Sequence, residues 1–247
     1  MNLSEELIVY INGFITGDIA LYKDKKGKLI AQVSATQPSF EQLFVSLFKI
    51  INAKIYKWAE YKRRAYGSKY QWVLRAIIPD YTEKLICKYY DLPLEYSKRL
   101  NLLEAFTAGL IAADGSITIE RHRKNFCRPC VKIVNKNNRL LQSLVNSWRR
   151  YNVFFSGPLL HCKSTSTWHI RLRGSEAYIF IVNHLIKFPL NPIHEKKVKI
   201  IRLLVSNKIN CNEALKLRNE ITDAERKKSK DYVNQAKEFL IKRGRVM

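Results

Sequence analysis

Eight residues near the start of the chain, Ile11-Asn12-Gly13-Phe14-Ile15-Thr16-Gly17-Asp18, return in altered form as Thr107-Ala108-Gly109-Leu110-Ile111-Ala112-Ala113-Asp114. Each copy closes an apolar helical run with a small residue, a second small residue four positions on, and then an aspartate. Gly13 with Gly17, and Gly109 with Ala113, fall at i and i+4, so each pair shares one helical face. A face without side chains lets two helices approach almost backbone to backbone. Helices meeting through those faces would set Asp18 and Asp114 side by side.

The repetition extends beyond these helices. Asp18 and Asp114 are 96 residues apart (114 − 18 = 96), and so are Trp72 and Trp168, Arg75 and Arg171, and Pro93 and Pro189. A spacing this long points to two related halves and not to a solenoid. In the first half, periodicity predicts a helix over 3–18 with Ser4 as its cap, strands over 19–22 and 29–35, and a helix over 39–51. Strands over 54–63 and 70–78 and a helix over 81–90 complete it. The second half repeats this with a helix over 101–114, strands over 116–123 and 131–134, and a helix over 138–151. Strands over 153–155 and 168–173 and a helix over 175–188 follow. The expected fold is α+β: two pseudo-symmetric αββαββα halves, residues 1–100 and 101–205, plus a C-terminal helical extension, 206–247. That extension, helical over 212–243, reads as a solvated helix folding back onto the body.

Charge restricts the partners. The chain has 44 Lys and Arg against 21 Asp and Glu, a formal net charge of +23. Self-repulsion of that size calls for a polyanion, nucleic acid first and an anionic membrane surface second. The basic residues are spread along the chain among Tyr and Trp, as an extended phosphate-tracking surface would have them. The run from Leu7 to Leu21 is too short to span a bilayer and contains Asp18. No targeting segment is recognisable, and five cysteines without framework spacing suit a reduced setting. A soluble, intracellular protein is therefore expected, in a prokaryotic cytoplasm or an organelle interior. Cys127-Arg128-Pro129-Cys130 could join His122, or His161 and Cys162, around zinc, but one C-x-x-C pair favours plain turn cysteines.

An aspartate at a helix C-terminus faces the negative end of the macrodipole, which costs roughly 0.3–1 kcal/mol. Bringing two together adds repulsion that drives one pKa up. A divalent cation relieves both, and hard carboxylate oxygens suit Mg2+, which also binds phosphate oxygens. Such a site can activate water against a phosphodiester.

Thr107 to Gly115 strongly resembles the signature of LAGLIDADG homing endonucleases, and Ile11 to Ile19 looks like its weaker first copy. The resemblance covers residues 3 to about 205 and is greatest to single-chain, two-motif members. Ile19 replaces the final glycine of the first copy and Ala112 the first acidic position of the second. The resemblance implies that Asp18 and Asp114 ligate Mg2+, with Mn2+ or Ca2+ able to substitute for binding, helped by the carbonyls of Gly17 and Ala113. It implies a polar residue at the end of the second strand beside the metals, Gln37 and its counterpart Asn135. It also implies a basic residue between the last strand and last helix of each half. Lys98 and Lys196 are the candidates, with Lys197 as the alternative to Lys196.

Strand alternation then divides the sheets. Val33, Trp72, Leu74, Val131, Ile133, Trp168 and Ile170 point toward the helices. Gln32, Ser34, Gln71, Arg75, Thr118, Glu120, Lys132, His169, Arg171 and Arg173 point away, onto a saddle whose ribbons fit a major groove. Lys25, Lys26, Arg63, Arg64, Arg123 and Lys124, in the turns, suit phosphates. These features imply a monomeric, metal-dependent endonuclease cutting both strands of a long, asymmetric double-stranded DNA site across the minor groove. The alternatives are an RNA maturase acting on intron RNA and a relative that binds DNA without cutting.

Overall fold

The computed structural model describes residues 3–62 and 69–244. Its elements are α1 (Glu5–Thr16), β1 (Ala20–Lys23), β2 (Leu29–Ala35), α2 (Pro38–Ile50), β3 (Lys54–Lys62), β4 (Lys69–Ile77), α3 (Asp80–Glu83) and α4 (Leu94–Lys98). Then come α5 (Leu100–Asp114), β5 (Gly115–Arg123), β6 (Phe126–Asn135), α6 (Asn138–Arg149), β7 (Ser156–Cys162) and β8 (Thr167–Arg173). The chain closes with α7 (Ser175–Phe180), which runs into a π-helical turn (Ile181–Leu185), then α8 (Pro192–Val205) and α9 (Cys211–Lys242). This is an α+β protein of two repeated αββαββ halves with a long C-terminal helix. Each half contributes one four-stranded antiparallel sheet, in the orders β1-β2-β4-β3 and β5-β6-β8-β7. Among the described residues no helix is long and apolar enough to cross a membrane.

By compactness the chain forms two units that do not coincide with the sequence repeat: Met1–Asp18 with Ile86–Ile221, and Ile19–Leu85 with Thr222–Met247. The first unit therefore contains both small-residue helices. Ser4 caps α1, its side chain accepting from the Leu7 N–H, and Arg99 pairs with Glu5 at the α5 entrance across 2.7 Å. The crossing of α1 and α5 depends on glycine. A Cβ at Gly13 would stand 2.1 Å from the Phe106 carbonyl oxygen, and one at Gly109 2.0 Å from that of Tyr10. Trp148 of α6 is fully buried and donates to Thr107 at 3.0 Å, tying the helix layer together above Ile133 and Ile170 of the sheet.

In the second unit, Val33, Leu74 and Trp72 are buried beneath α2 and the end of α9. Trp72 Nε1 donates to the Tyr232 carbonyl at 2.9 Å, the Phe239 ring lies 5.5 Å from the Trp72 ring, and the Tyr232 hydroxyl bonds Glu41. Here the C-terminal helix is core as well as solvated face. Its N-terminal part is equally fixed within the first unit, where Ala214 is fully buried and Arg218 donates to the Ile119 carbonyl at 2.7 Å.

Several expectations need correction. Residues 81–90 are helical only over Asp80–Glu83, because the following backbone is drawn to α1: Cys87 N–H donates to Asn12 Oδ1 (2.9 Å) and Tyr89 N–H to Thr16 Oγ1 (3.1 Å). Residues 153–155 are not a strand. Asn152 has φ 59° and the Val153 N–H closes α6 on the Trp148 carbonyl, so pairing starts at Ser156. α8 is an additional element, announced in the sequence by the Asn191 cap and Pro192 in its first turn. Cys127 and Cys130 lie in β6, not in a turn, and Cys127 forms a disulfide with Cys211 across 84 residues of sequence. That bond takes Cys127 away from the zinc alternative and two of the five cysteines out of the expected free set, leaving Cys87, Cys130 and Cys162 as thiols.

Candidate functional site

α1 and α5 end together. α5 terminates on Asp114, and Gly17 caps α1 one residue before Asp18. A Cβ on Gly17 would meet the Ala113 Cβ at 2.6 Å, the Asp114 Cγ at 3.2 Å and Asp114 Oδ2 at 3.3 Å. The small-residue faces predicted from the repeat are thus in contact, and they deliver the two carboxyl groups to one place. Asp114, half-buried, shares a hydrogen bond with the exposed Asp18. Burial first, and then the Asp18 charge, push the Asp114 carboxyl up to about 8.

Two further side chains complete the cluster. Asn135, the last residue of β6, donates its amide to Asp114 Oδ2 at 2.9 Å and accepts the Asn137 N–H through Oδ1 at 2.8 Å. This second bond fixes which end of the amide faces the carboxylate. Lys88 donates to the Gly17 carbonyl at 3.2 Å, and it is close enough to Asp114 and Asp18 for both charges to raise its pKa. Burial outweighs them and leaves the ammonium pKa lowered. Sequence reading missed Lys88 because residues 81–90 look helical. The signal that could have found it is its place between the last strand and last helix of the first half.

Asp18, Asp114, Gly17, Ala113 and Asn135 therefore come together. Lys98 does not. It sits at the opposite end of α5 from Asp114, and 15 helical residues at about 1.5 Å each separate the two by roughly 20 Å. Lys196 is exposed on α8, while its neighbour Lys197 is half-buried and has its pKa lowered by burial and then by Arg218. Gln37 is exposed at the N-cap of α2, in the other compact unit. Strand register shows that it is not the counterpart of Asn135. Asn135 is the cross-strand partner of Trp168, whereas Trp72 partners Ala35. Gln37 instead corresponds to Asn137, the cap of α6.

The outward sheet faces differ in how their polar groups are used. On the second unit's sheet, Gln32 Oε1 accepts from Tyr22 (2.8 Å) and from Arg75 Nε (3.1 Å). Gln71 is buried, contrary to expectation, and donates to Ser34 at 2.9 Å and Glu60 at 3.2 Å. On the first unit's sheet, Thr118 is half-buried, Glu120 pairs with Arg173 at 3.2 Å, and Lys132 partners Arg171 across the strands. His169 is buried among Lys132, Arg171, His161 and Arg173, and burial and then these cations lower its pKa. Lys25, Lys26, Arg123 and Lys124 are exposed in turns or at a strand end, and Arg63 and Arg64 lie outside the described residues.

The site can hold a hard cation. Its donors are two carboxylates and neighbouring main-chain carbonyls, and the repulsion between the two acids, which adds to burial in raising the Asp114 pKa, is what a cation would relieve. Among the described residues no group of three or more His, Cys, Asp or Glu side chains could hold an ion by itself. Water or a substrate oxygen would have to complete the coordination.

No family model matches the sequence, and no curated protein matches it. Several solved structures are similar. The homing endonuclease I-WcaI bound to its DNA recognition sequence has a TM-score of 0.55 and 14% identity over 80% of this chain and 88% of that one. Full-length DUF199/WhiA from Thermatoga maritima has a TM-score of 0.56 and 14% identity over 91% of this chain and 69% of that one. Mesophilic variants of the homing endonuclease I-DmoI have a TM-score of 0.50 and 16% identity over 77% of this chain and 96% of those. At these identities the likeness establishes the fold, which is LAGLIDADG-like.

Proposed function

We propose that the protein is a site-specific DNA endonuclease of the LAGLIDADG homing type that requires a divalent metal ion. The observation that carries this reading is the carboxylate pair. Two aspartates, 96 positions apart in an internal repeat, meet at the foot of a glycine-faced helix crossing with Lys88 and Asn135 beside them. A fold has no structural need to press two carboxyl groups together at two helix C-termini, since dipole and repulsion both oppose it.

Asp18 and Asp114 would hold the metal, with Gly17 and Ala113 offering carbonyls. When bound, Mg2+ supplies a water of lowered pKa and a Lewis acid for the phosphodiester. Asn135 keeps one Asp114 oxygen oriented and the amide keeps its own orientation through the Asn137 N–H. Lys88, with its pKa lowered by burial, would neutralise phosphate charge and give a proton to a departing oxygen, a role its contact with Gly17 supports. The outward sheet faces and basic turns bind the double-stranded DNA, and a net charge of +23 supports this use. Because the halves differ in sequence, one chain reads an asymmetric target.

The experiment is cleavage of a duplex selected for binding, with Mg2+ or with chelator. The reading requires specific double-strand cuts with Mg2+, and their loss in Asp18→Asn and in Asp114→Asn. The net charge of +23 serves binding alone equally well, and so supports a second reading, sequence-specific DNA binding without cutting. Specific binding with an uncut duplex would select it. Tight binding of intron RNA in place of duplex DNA would select a maturase.

A further inference from the structure

We propose that the first unit's sheet reads a guanine-rich half of the DNA target, and that most of the base discrimination resides there. This rests on the DNA-reading function proposed above and names the bases it takes. Arg128, Lys132, Arg171 and Arg173 stand on one face of that sheet, by alternation and by register: Lys132 opposes Arg171, and Arg173 opposes Cys130, two residues from Arg128. Like charges directly opposite each other across a sheet destabilise it. Glu120 answers this only in part: one carboxylate pairs with Arg173 and lies opposite Arg128, while Lys132 meets His161, which carries no negative charge, at 3.2 Å.

Hydrogen bonding shows the same imbalance. The Nε atoms of Arg128 and Arg171 are buried without an acceptor, that of Arg173 has only Glu120 Oε2 at 3.2 Å, and neither ring nitrogen of buried His169 has a partner. Each unmet group is a cost in the free protein that a ligand oxygen or nitrogen removes. Arg128, Lys132, Arg171 and Arg173 can only donate, His169 offers one donor and one acceptor, and Glu120 is already engaged, so the face is richer in donors than in acceptors. In the major groove, guanine presents two acceptors, N7 and O6, and no donor, whereas adenine and cytosine each present an amino group needing an acceptor. Arginine and lysine bond guanine bidentately, so this set of side chains matches a guanine run better than any other edge.

The second unit's sheet is in the opposite condition. Gln32 Oε1 is already taken by Tyr22, Arg75 Nε and Arg75 Nη2, at 2.8, 3.1 and 3.0 Å. The Gln71 amide is taken by Ser34 and Glu60, at 2.9 and 3.2 Å. A base read there must first break these bonds, so little discrimination is gained.

Selection of the full-length protein on a random-sequence duplex library, with Ca2+ to permit binding, tests this. The expected result is an asymmetric site with one half fixed as a guanine-rich run on one strand and the other half weakly defined. Arg171→Gln should reduce the preference at one or two guanines by about ten-fold or more and leave the rest of the site unchanged. A site without a guanine-rich half, or a guanine run abolished by Arg75→Gln and kept by Arg171→Gln, would overturn the proposal while DNA reading stands. If Arg171→Gln unfolds, Lys132→Gln reports on the same face by the same criterion. Failure to enrich any sequence would instead remove the DNA-reading function itself, and this inference with it.

Discussion

The Asn135 amide donates to Asp114 Oδ2 across 2.9 Å, and its own carbonyl is held by the N–H of Asn137. Ala35 occupies the matching register position in the first half, opposite Trp72, so the repeat does not supply Asp18 with an equivalent amide. The two acids are alike in origin and different in surroundings. This asymmetry sets the first prediction.

Asp114 titrates for the pair. Its folded pKa, about 8, lies above the ordinary carboxylate value of 3.8, so the metal-free folded state holds the proton more tightly than the unfolded chain. The resulting stability is fully present below about pH 4 and is lost as pH rises through about 8. Asp114→Asn removes this contribution. In chelator, the wild-type protein should lose stability relative to Asp114→Asn between pH 5 and pH 9, measured by denaturant unfolding. Saturating Mg2+ should restore the wild type at high pH and leave the variant unaffected.

Lys88→Met should leave DNA affinity nearly unchanged and slow single-turnover cleavage by about 100-fold or more, the typical effect of removing a positioned acid or a charge-stabilising donor. Lys98→Met should cleave at the wild-type rate, because Lys98 is at the far end of α5. Equal losses in the two variants would remove Lys88 from the site.

The helix crossing tolerates no added carbon. Gly109→Ala would put a methyl 2.0 Å from the Tyr10 carbonyl oxygen, so α1 and α5 must separate. Overpacking of this kind costs about 1–3 kcal/mol or more, which lowers Tm by roughly 5 °C in a chain of this size. Cleavage should fall further than stability does, because the aspartates move with the helix ends.

Cys211→Ser opens a link that closes 84 residues. In the chain-entropy account such a loop contributes roughly 4–5 kcal/mol. The variant should unfold at lower denaturant than the wild type without reductant and at the same denaturant with it. A difference that persists in reductant would mean that the Cys211 thiol matters for packing and not for the bond.

The fold was legible wherever local pattern and tertiary demand agree. β2 over Leu29–Ala35 follows from alternation alone, and the aspartate pair follows from the repeated small-residue spacing. Legibility failed where a distant partner captures the backbone. Residues 86–89 have the apolar spacing of a helix, yet the N–H groups of Cys87 and Tyr89 go to Asn12 and Thr16, over seventy residues earlier. That diversion carries Lys88 to Gly17, so the same event hid both the loop and the lysine it brings beside the aspartates. The Cys127–Cys211 bond was hidden for a similar reason, since no spacing rule links a strand cysteine to one 84 residues on. The difference between Asn135 and Gln37 was concealed by the unequal hairpins preceding them, four residues longer in the second half when register, not sequence offset, is followed.

Because Gly13 and Gly109 meet main-chain atoms, the crossing of α1 and α5 is specified by atoms that every amino acid shares. Almost any outward residue of either helix can then drift without re-aiming the acids. Such a joint is written in geometry and needs few fixed letters, so the likeness of fold appears in three dimensions at 14–16% identity.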